Sequence, residues 1–166
     1  MAGYVIHLAV AEEYLKLHPE EQYQEFIKGV IFPDSVTPKS ITHYGKSSAY
    51  TNLSAFLKEN NIENSYKRGY FLHLLTDYLF YNYYLDEFDK SKMYRDYDIL
   101  NSKLIEKYKI KLPEEIKDKV FYLEGDTQIL HFDLACKIID EVSKLELDEI
   151  AKEANSKKWN TYKNLV

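Results

Sequence analysis

Cysteine, arginine and glycine are all scarce in this chain. The 166 residues include a single cysteine, Cys136, which excludes an internal disulfide framework and a cysteine-rich zinc knuckle. Two of the 22 basic residues are arginine, and the net charge is −5. An acidic chain of this kind carries no strong nucleic-acid signal, although a local basic patch stays open.

A basic leader and long hydrophobic runs are also absent from the sequence. The first residues, MAGYVIHLAVAEEYLKLH, have no basic residue ahead of the apolar stretch, which His7 interrupts and Glu12 ends. A secretory signal needs a longer clean apolar stretch after positive charge, and a membrane span needs ~20 apolar residues. We therefore expect a cytoplasmic protein without a transmembrane segment. The sequence leaves the oligomeric state open.

Apolar residues recur every three or four positions through most of the chain, and no segment alternates with a period of two. We expect one all-α domain over residues 1–166 with six to eight helices, since ~100–200 residues are usual for a domain. Residues 30–46, with two prolines and one glycine, are predicted to be an ordered loop. The first four predicted helices cover 4–17, Pro19 to about Gly29, Ser47 to about Asn60, and Asn64 to about Leu85. The next two cover 91–109 and Pro113 to before Gly125. A seventh helix, capped by Asp126 or Thr127, carries Leu130 to Val142, and the last covers about 147–156.

Two polar residues lie inside the most apolar predicted helix. His73 and Asp77 are four residues apart and share one helix face. A buried carboxylate without a partner costs several kcal/mol, and a divalent cation would offset that cost. A structural hydrogen bond between the two side chains is the alternative.

Three further residues carry the same types of ligand group. Asp34 and His43 lie nine positions apart in the predicted loop, where scaffold-held site residues are common. The alternative is that Asp34 belongs to a turn and His43 lies on the surface. His7 lies on an apolar stretch of the first helix, where a hydrogen-bonded core histidine is the alternative.

Together these five residues form a set of nitrogen and oxygen ligands without a thiolate, which suits zinc, manganese, iron or nickel. His131 lies on the stripe of its predicted helix that faces inward. Three roles stay open for His131: a core histidine, a group behind the metal ligands, or a substrate contact. Tyr44, Tyr70 and Tyr78 are candidates to line a pocket.

The order of these motifs resembles the zinc-dependent phospholipase C family, and especially its short bacterial members. Fungal single-strand nucleases are distant relatives with the same helical metal site. The resemblance covers roughly residues 3–86 and includes the phrases GVIFPDS, ITHYG and GYFLHLLTDYL. It rests on the order His7, Pro33-Asp34, Thr42-His43 and His73-x-x-x-Asp77.

The resemblance implies roles for these residues. Asp34, His43, His73 and Asp77 would hold one zinc, and Asp34 would also act as the general base. Asp77 would bridge to a second metal held by His7, with the free amino terminus as a further ligand. The family's third zinc needs a later H-x-x-x-E helix, which is missing because Ala135 follows His131 by four. Asp96 and Asp98 are candidates to complete a second site.

The function expected from the residues and the resemblance is hydrolysis of a small phosphoester by metal-activated water, with one or two divalent ions, most simply zinc. A closed, non-catalytic metal site is one alternative. A helical interaction module without metal is another, supported by the aromatic residues between 70 and 85. An HD-type phosphohydrolase ranks last, since no His directly precedes an Asp.

Overall fold

The periodic apolar segments form α-helices in the computed structural model, which describes residues 3–163. Within that range there are eight α-helices and no strand, which confirms the all-α prediction of six to eight helices. Short 3-10 segments lie at Ser48–Tyr50, Glu114–Lys119 and Lys157–Trp159. The helices are α1 (Tyr4–Leu17), α2 (Tyr23–Ser35), α3 (Ser40–His43), α4 (Leu53–Glu59), α5 (Ser65–Leu79), α6 (Lys90–Tyr108), α7 (Phe132–Val142) and α8 (Leu147–Glu153).

Helix α5 lies at the centre of the fold. Every residue from Gly69 to Tyr78 is buried, and α1, α2, α4 and α8 all pack against this helix. The helix starts where predicted, because the Asn64 side chain accepts a hydrogen bond from the Lys67 amide. A π-helical turn, Phe80–Tyr84, continues it. A helix that is covered on all sides places any polar side chain it carries in the interior.

Two glycines let α2 and α5 pass at backbone contact. A Cβ added to Gly29 would lie 2.0 Å from the carbonyl oxygen of Tyr66. A Cβ added to Gly69 would lie 2.1 Å from the carbonyl oxygen of Phe26. The close approach therefore requires glycine on both helices, and it brings the end of α2 beside the middle of α5.

The predicted bounds of the second helix and the following loop are wrong. Helix α2 begins at Tyr23 rather than Pro19 and continues past Gly29 to Ser35, so residues 30–35 are helical. Gly29 is a packing residue and not a helix end. Pro33 is tolerated in the last turn. A further turn of helix, α3, occupies the second half of the predicted loop.

Other predicted helix ends are also wrong for local reasons. The predicted helix 47–60 is split, because Asn52 caps α4 by accepting from the Ala55 amide at 3.0 Å. Helix α7 begins at Phe132, and neither Asp126 nor Thr127 caps it. The Asp96 carboxylate instead accepts the amides of residues 128–130 at 2.8–2.9 Å and holds them outside the helix. The last α-helix ends at Glu153.

The apolar faces of these helices share one core, which includes Trp159 near the end of the described range. Among residues 3–163, no helix has both the length and the apolarity that crossing a bilayer requires.

Candidate metal centre

Three helices bring four of the predicted ligand residues into one buried group. Asp34 comes from the last turn of α2, His43 from the end of α3, and His73 and Asp77 from α5. Each of the four side chains offers one ligand atom, and these atoms all lie within 4.8 Å of one another. The four side chains are completely shielded from solvent. We call this group the four-residue cluster.

The spacing inside the four-residue cluster fits a small cation. The Nε2 atoms of His43 and His73 lie 3.0 and 3.2 Å from Asp77 Oδ2. The same two atoms lie 3.7 and 3.5 Å from Asp34 Oδ1. Zinc bonds of ~2.0–2.2 Å in a tetrahedron place neighbouring ligand atoms roughly 3.3–3.6 Å apart. The four separations scatter around that range, so the residues present fit a four-coordinate ion.

Backbone carbonyls fix the orientation of both imidazoles. His73 Nδ1 lies 2.6 Å from the Val30 carbonyl oxygen, and His43 Nδ1 lies 3.0 Å from that of Lys39. Each Nδ1–H therefore donates to a carbonyl, which leaves Nε2 to face the carboxylates with its lone pair when the ring is neutral. Lone pairs facing carboxylate oxygens require a cation or a proton between them. Histidine ligands of metals are commonly oriented in this way.

Two buried atoms of the four-residue cluster have no hydrogen-bond partner within the described residues. They are Asp34 Oδ2 and His73 Nε2. Buried polar atoms are nearly always satisfied in native proteins, so two such atoms in one place call for a cation or a proton between them. Asp34 Oδ1 is engaged separately, because Lys39 Nζ donates to it at 2.8 Å.

The charges of the four-residue cluster are strongly coupled. Burial alone would lower the pKa of His73, but the carboxylates of Asp34 and Asp77 outweigh it and raise that pKa to about 9. Burial would raise the pKa of the Asp34 carboxyl, but the charge of His73 prevails and holds it well below its usual range. The imidazoles of His7 and His73 likewise outweigh burial and lower the pKa of Asp77. Without metal, a proton on His73 therefore occupies the cation's place.

His7 contacts the four-residue cluster from one side. Its Nε2 lies 2.9 Å from Asp77 Oδ1, and its ring stacks on His73 with centroids 3.6 Å apart and planes 7° apart. Burial and the neighbouring His73 lower the pKa of His7, so the ring is neutral and Nε2–H donates to Asp77. Asp77 therefore uses Oδ1 for His7 and Oδ2 for the two other histidines. The set of atoms within 4.8 Å does not include His7, and its role as a metal ligand stays a prediction.

Several predicted residues take other roles. His131 is exposed and bonds Thr127 through Nδ1, so the prediction that it faces inward is wrong, because it precedes α7 instead of lying on it. A substrate contact by His131 stays a prediction. The buried Asp96 serves the amides of residues 128–130, and Asp98 lines a surface cavity of about 240 Å³. The amino-terminal ligand lies outside the described residues.

The three tyrosines that were predicted to line a pocket make hydrogen bonds to other groups of the protein. Tyr70 donates to the Thr42 carbonyl at 2.7 Å, and Tyr44 accepts from the Asn60 amide group at 3.0 Å. Tyr78 donates to backbone carbonyls near the end of the chain, and it also lines a cavity of about 410 Å³ that none of the four cluster residues lines. Sequence reasoning missed Lys39, which contacts Asp34. Lys39 lies five residues after Asp34 in a segment assigned to the site, but no local sequence pattern indicates the contact between them.

Comparisons with protein-family models, with curated proteins and with solved structures find no match for this chain. The resemblance to zinc-dependent phospholipase C therefore stays a prediction. The buried four-residue cluster is an observation of the structure and is independent of that resemblance.

Proposed function

We propose that this protein is a divalent-metal-dependent phosphoesterase whose metal is held by Asp34, His43, His73 and Asp77. One observation carries the metal site: two carboxylates and two oriented imidazoles bring their ligand atoms within 4.8 Å of one another in one buried group. The order of motifs shared with zinc-dependent phospholipase C supports the hydrolytic assignment. Zinc suits the ligand set, and iron, manganese and nickel also accept it.

A divalent ion at this site would polarise a phosphoryl oxygen and lower the pKa of a water towards ~7. The surrounding residues would hold the ion and orient its ligands. His43 and His73 act as neutral nitrogen ligands, held by their backbone carbonyl partners. Asp77 acts as a ligand through Oδ2, and His7 fixes the carboxylate by donating to Oδ1. Loading the site releases the proton that His73 holds in the metal-free protein.

Asp34 is the residue proposed to contact the attacking water. Its Oδ2 is buried and lacks a hydrogen-bond partner within residues 3–163, so it is available to a ligand or a water. A pKa held well below the usual range makes Asp34 a weak base. We therefore assign it to ligation and to orienting the water, while the acidity of the water comes from the metal.

A non-catalytic metal site is the second candidate function. The observation that favours it is the complete burial of all four side chains, together with four protein ligands. Structural zinc sites are closed by four protein ligands, whereas catalytic sites keep one position for water. The two candidates differ in whether Asp34 stays bound when substrate is present.

The test compares hydrolysis of p-nitrophenyl phosphate and bis(p-nitrophenyl) phosphate by wild type, Asp34→Asn and a control, His18→Ala. Zinc, manganese, iron and nickel are each supplied to metal-stripped protein. We expect metal-dependent turnover that falls at least ~100-fold in Asp34→Asn and is unchanged in His18→Ala, because Asp34 both holds the metal and orients the water, and lost positioning alone can cost ~10²-fold. Tight metal binding without turnover of either ester would instead establish the closed, non-catalytic site.

A further inference from the structure

A cavity of about 220 Å³ opens beside the four-residue cluster. It is smaller than the ~300–1,000 Å³ of pockets that enclose drug-sized ligands, so it suits one small chemical group. Its polar lining is basic and hydroxylic instead of acidic. The lining includes Lys39, Ser47, Ser48, Tyr81, Lys90 and Tyr94. We call this space the lysine cavity.

Lys39 connects the lysine cavity to the proposed metal site. Its Nζ lies 2.8 Å from Asp34 Oδ1 and 3.2 Å from the Asp34 carbonyl oxygen. The Lys39 side chain is 32% exposed, whereas that of Asp34 is fully buried. The ammonium group therefore lies at the border between the buried carboxylate and the open space. An anion in the lysine cavity would contact the same ammonium that contacts a metal ligand.

A second lysine, Lys90, also lines the lysine cavity. Lys90 is exposed, and its Nζ lies 5.7 Å from the centroid of the Tyr94 ring, which also lines the cavity. A cation held over an aromatic face is restrained without losing its charge. The neighbouring carboxylate of Asp89 caps α6, where it accepts from the Lys92 amide and from the Ser91 hydroxyl. Lys90 is therefore not neutralised by a hydrogen bond to Asp89 in the described contacts.

An unused hydroxyl adds to these two cations. Ser47 Oγ is buried and has no hydrogen-bond partner among the described residues. Ser47 precedes the 3-10 turn Ser48–Tyr50, and both of these serines line the lysine cavity. Buried hydroxyls are normally satisfied, so this atom indicates an acceptor that the protein itself does not supply. A phosphoryl oxygen accepts hydrogen bonds from hydroxyls and from ammonium groups alike.

We infer that the lysine cavity is an anion subsite that holds the phosphoryl oxygens of a phosphate monoester beside the metal site, through Lys39, Lys90 and Ser47. The inference rests on the proposed function and narrows its substrate class. Lys90 adds a positive charge to a lining whose other lysine, Lys39, is paired with Asp34, and the dianion of a monoester gains more from that charge than a singly charged diester does. The small volume places the phosphoryl group inside the cavity and leaves the alcohol part of the substrate outside it.

The test measures binding of inorganic phosphate, which needs no turnover. Isothermal titration calorimetry on zinc-loaded protein compares wild type with Lys90→Gln, and with Lys103→Gln as the matched control. Lys103 is an exposed lysine thirteen residues further along α6, roughly 20 Å along the helix axis. Lys90 is exposed, so we expect the loss of its charge to weaken phosphate binding about fivefold, with no change for Lys103→Gln. The KM for p-nitrophenyl phosphate should rise similarly in Lys90→Gln, and that for the diester should change less.

Failure of this inference is distinguishable from failure of the proposed function. Phosphate binding that depends on Lys90, without hydrolysis of any ester, would support the anion subsite and reject the phosphoesterase. Ester hydrolysis with phosphate binding unchanged in Lys90→Gln would reject the anion subsite alone. Equal losses in Lys90→Gln and Lys103→Gln would also overturn it, because they would indicate only general charge attraction. A second variant, Ser47→Ala, should weaken phosphate binding without changing the net charge.

Discussion

Replacing Gly29 with alanine should displace α2 from α5 and disrupt the metal centre without changing any ligand. Two effects act on this substitution with opposite signs. Alanine in a helix interior is favoured over glycine by ~1 kcal/mol. The new Cβ, however, would lie 2.0 Å from the Tyr66 carbonyl oxygen and 2.9 Å from the Tyr70 amide nitrogen. The neighbouring atoms are backbone and cannot rotate away, so the helices themselves must move.

The size of the required movement decides which effect prevails. Ordinary contacts of a Cβ begin at about 3.4 Å, so the Tyr66 carbonyl must recede by more than 1 Å. Overpacking of this kind costs ~1–3 kcal/mol or more, which exceeds the gain in helix propensity. Val30 follows Gly29 and holds His73 Nδ1 at 2.6 Å, so the same movement weakens that hydrogen bond. Asp34 moves with α2, whereas ligand distances tolerate about ±0.2 Å.

The assay pairs thermal unfolding with zinc titration of metal-free protein. We expect the melting temperature of Gly29→Ala to fall by several degrees, at ~2–4 °C per kcal/mol for a chain of this length, and zinc affinity to fall at least ~10-fold. The control Ser102→Ala changes an exposed residue of α6 and should leave both unchanged. A Gly29→Ala protein that is more stable than wild type and binds zinc equally well would refute this account of the helix contact.

The remaining predictions concern charge and the surroundings of the ligands. Because the pKa of His73 is raised to about 9, its contribution to metal-free stability is full below about 6.5 and is lost as pH rises through 9. Zinc affinity should rise over the same interval, with proton release measured by calorimetry in two buffers. Asp96→Asn should destabilise the fold by ~1–3 kcal/mol in urea unfolding, since it serves three backbone amides, and should leave zinc binding intact. His7→Ala should weaken zinc affinity ~10–100-fold in a titration if His7 only orients Asp77, and should remove one of two equivalents if it is a ligand.

The composition of the site follows from the sequence more readily than its surroundings do. His73 and Asp77 are conspicuous because polar groups on the most apolar helix require a partner, and their spacing fixes them on one face. Asp34 and His43 could be joined to them only through the order of motifs. The contact of Lys39 with Asp34 depends on how α2 and α3 meet, which no local pattern encodes.

Helix bounds fail where packing or a distant side chain overrides local preference. The sequence predicts a helix end near Gly29. In the structure Gly29 is the residue at which α2 contacts α5, and α2 continues past it. The sequence predicts Asp126 or Thr127 as a helix cap. The Asp96 carboxylate instead accepts hydrogen bonds from the backbone amides that follow Thr127, and α7 begins only at Phe132. Because α7 begins after His131, this residue is exposed instead of lying on the inward face that was predicted for it. Contacts between residues far apart in the sequence set these helix ends, so local sequence patterns do not predict them.

The most direct test of the metal centre is the metal content of untagged protein purified without added metal. Elemental analysis of wild type, His73→Ala and Asp77→Asn would be compared with His18→Ala, which keeps all four ligands. We predict one or two equivalents of zinc, iron, manganese or nickel in wild type and in His18→Ala, and loss of metal in the two ligand variants. Wild-type protein that is metal-free, and that also binds none of these ions on titration, would contradict the account. His73 and Asp77 would then be a buried polar pair.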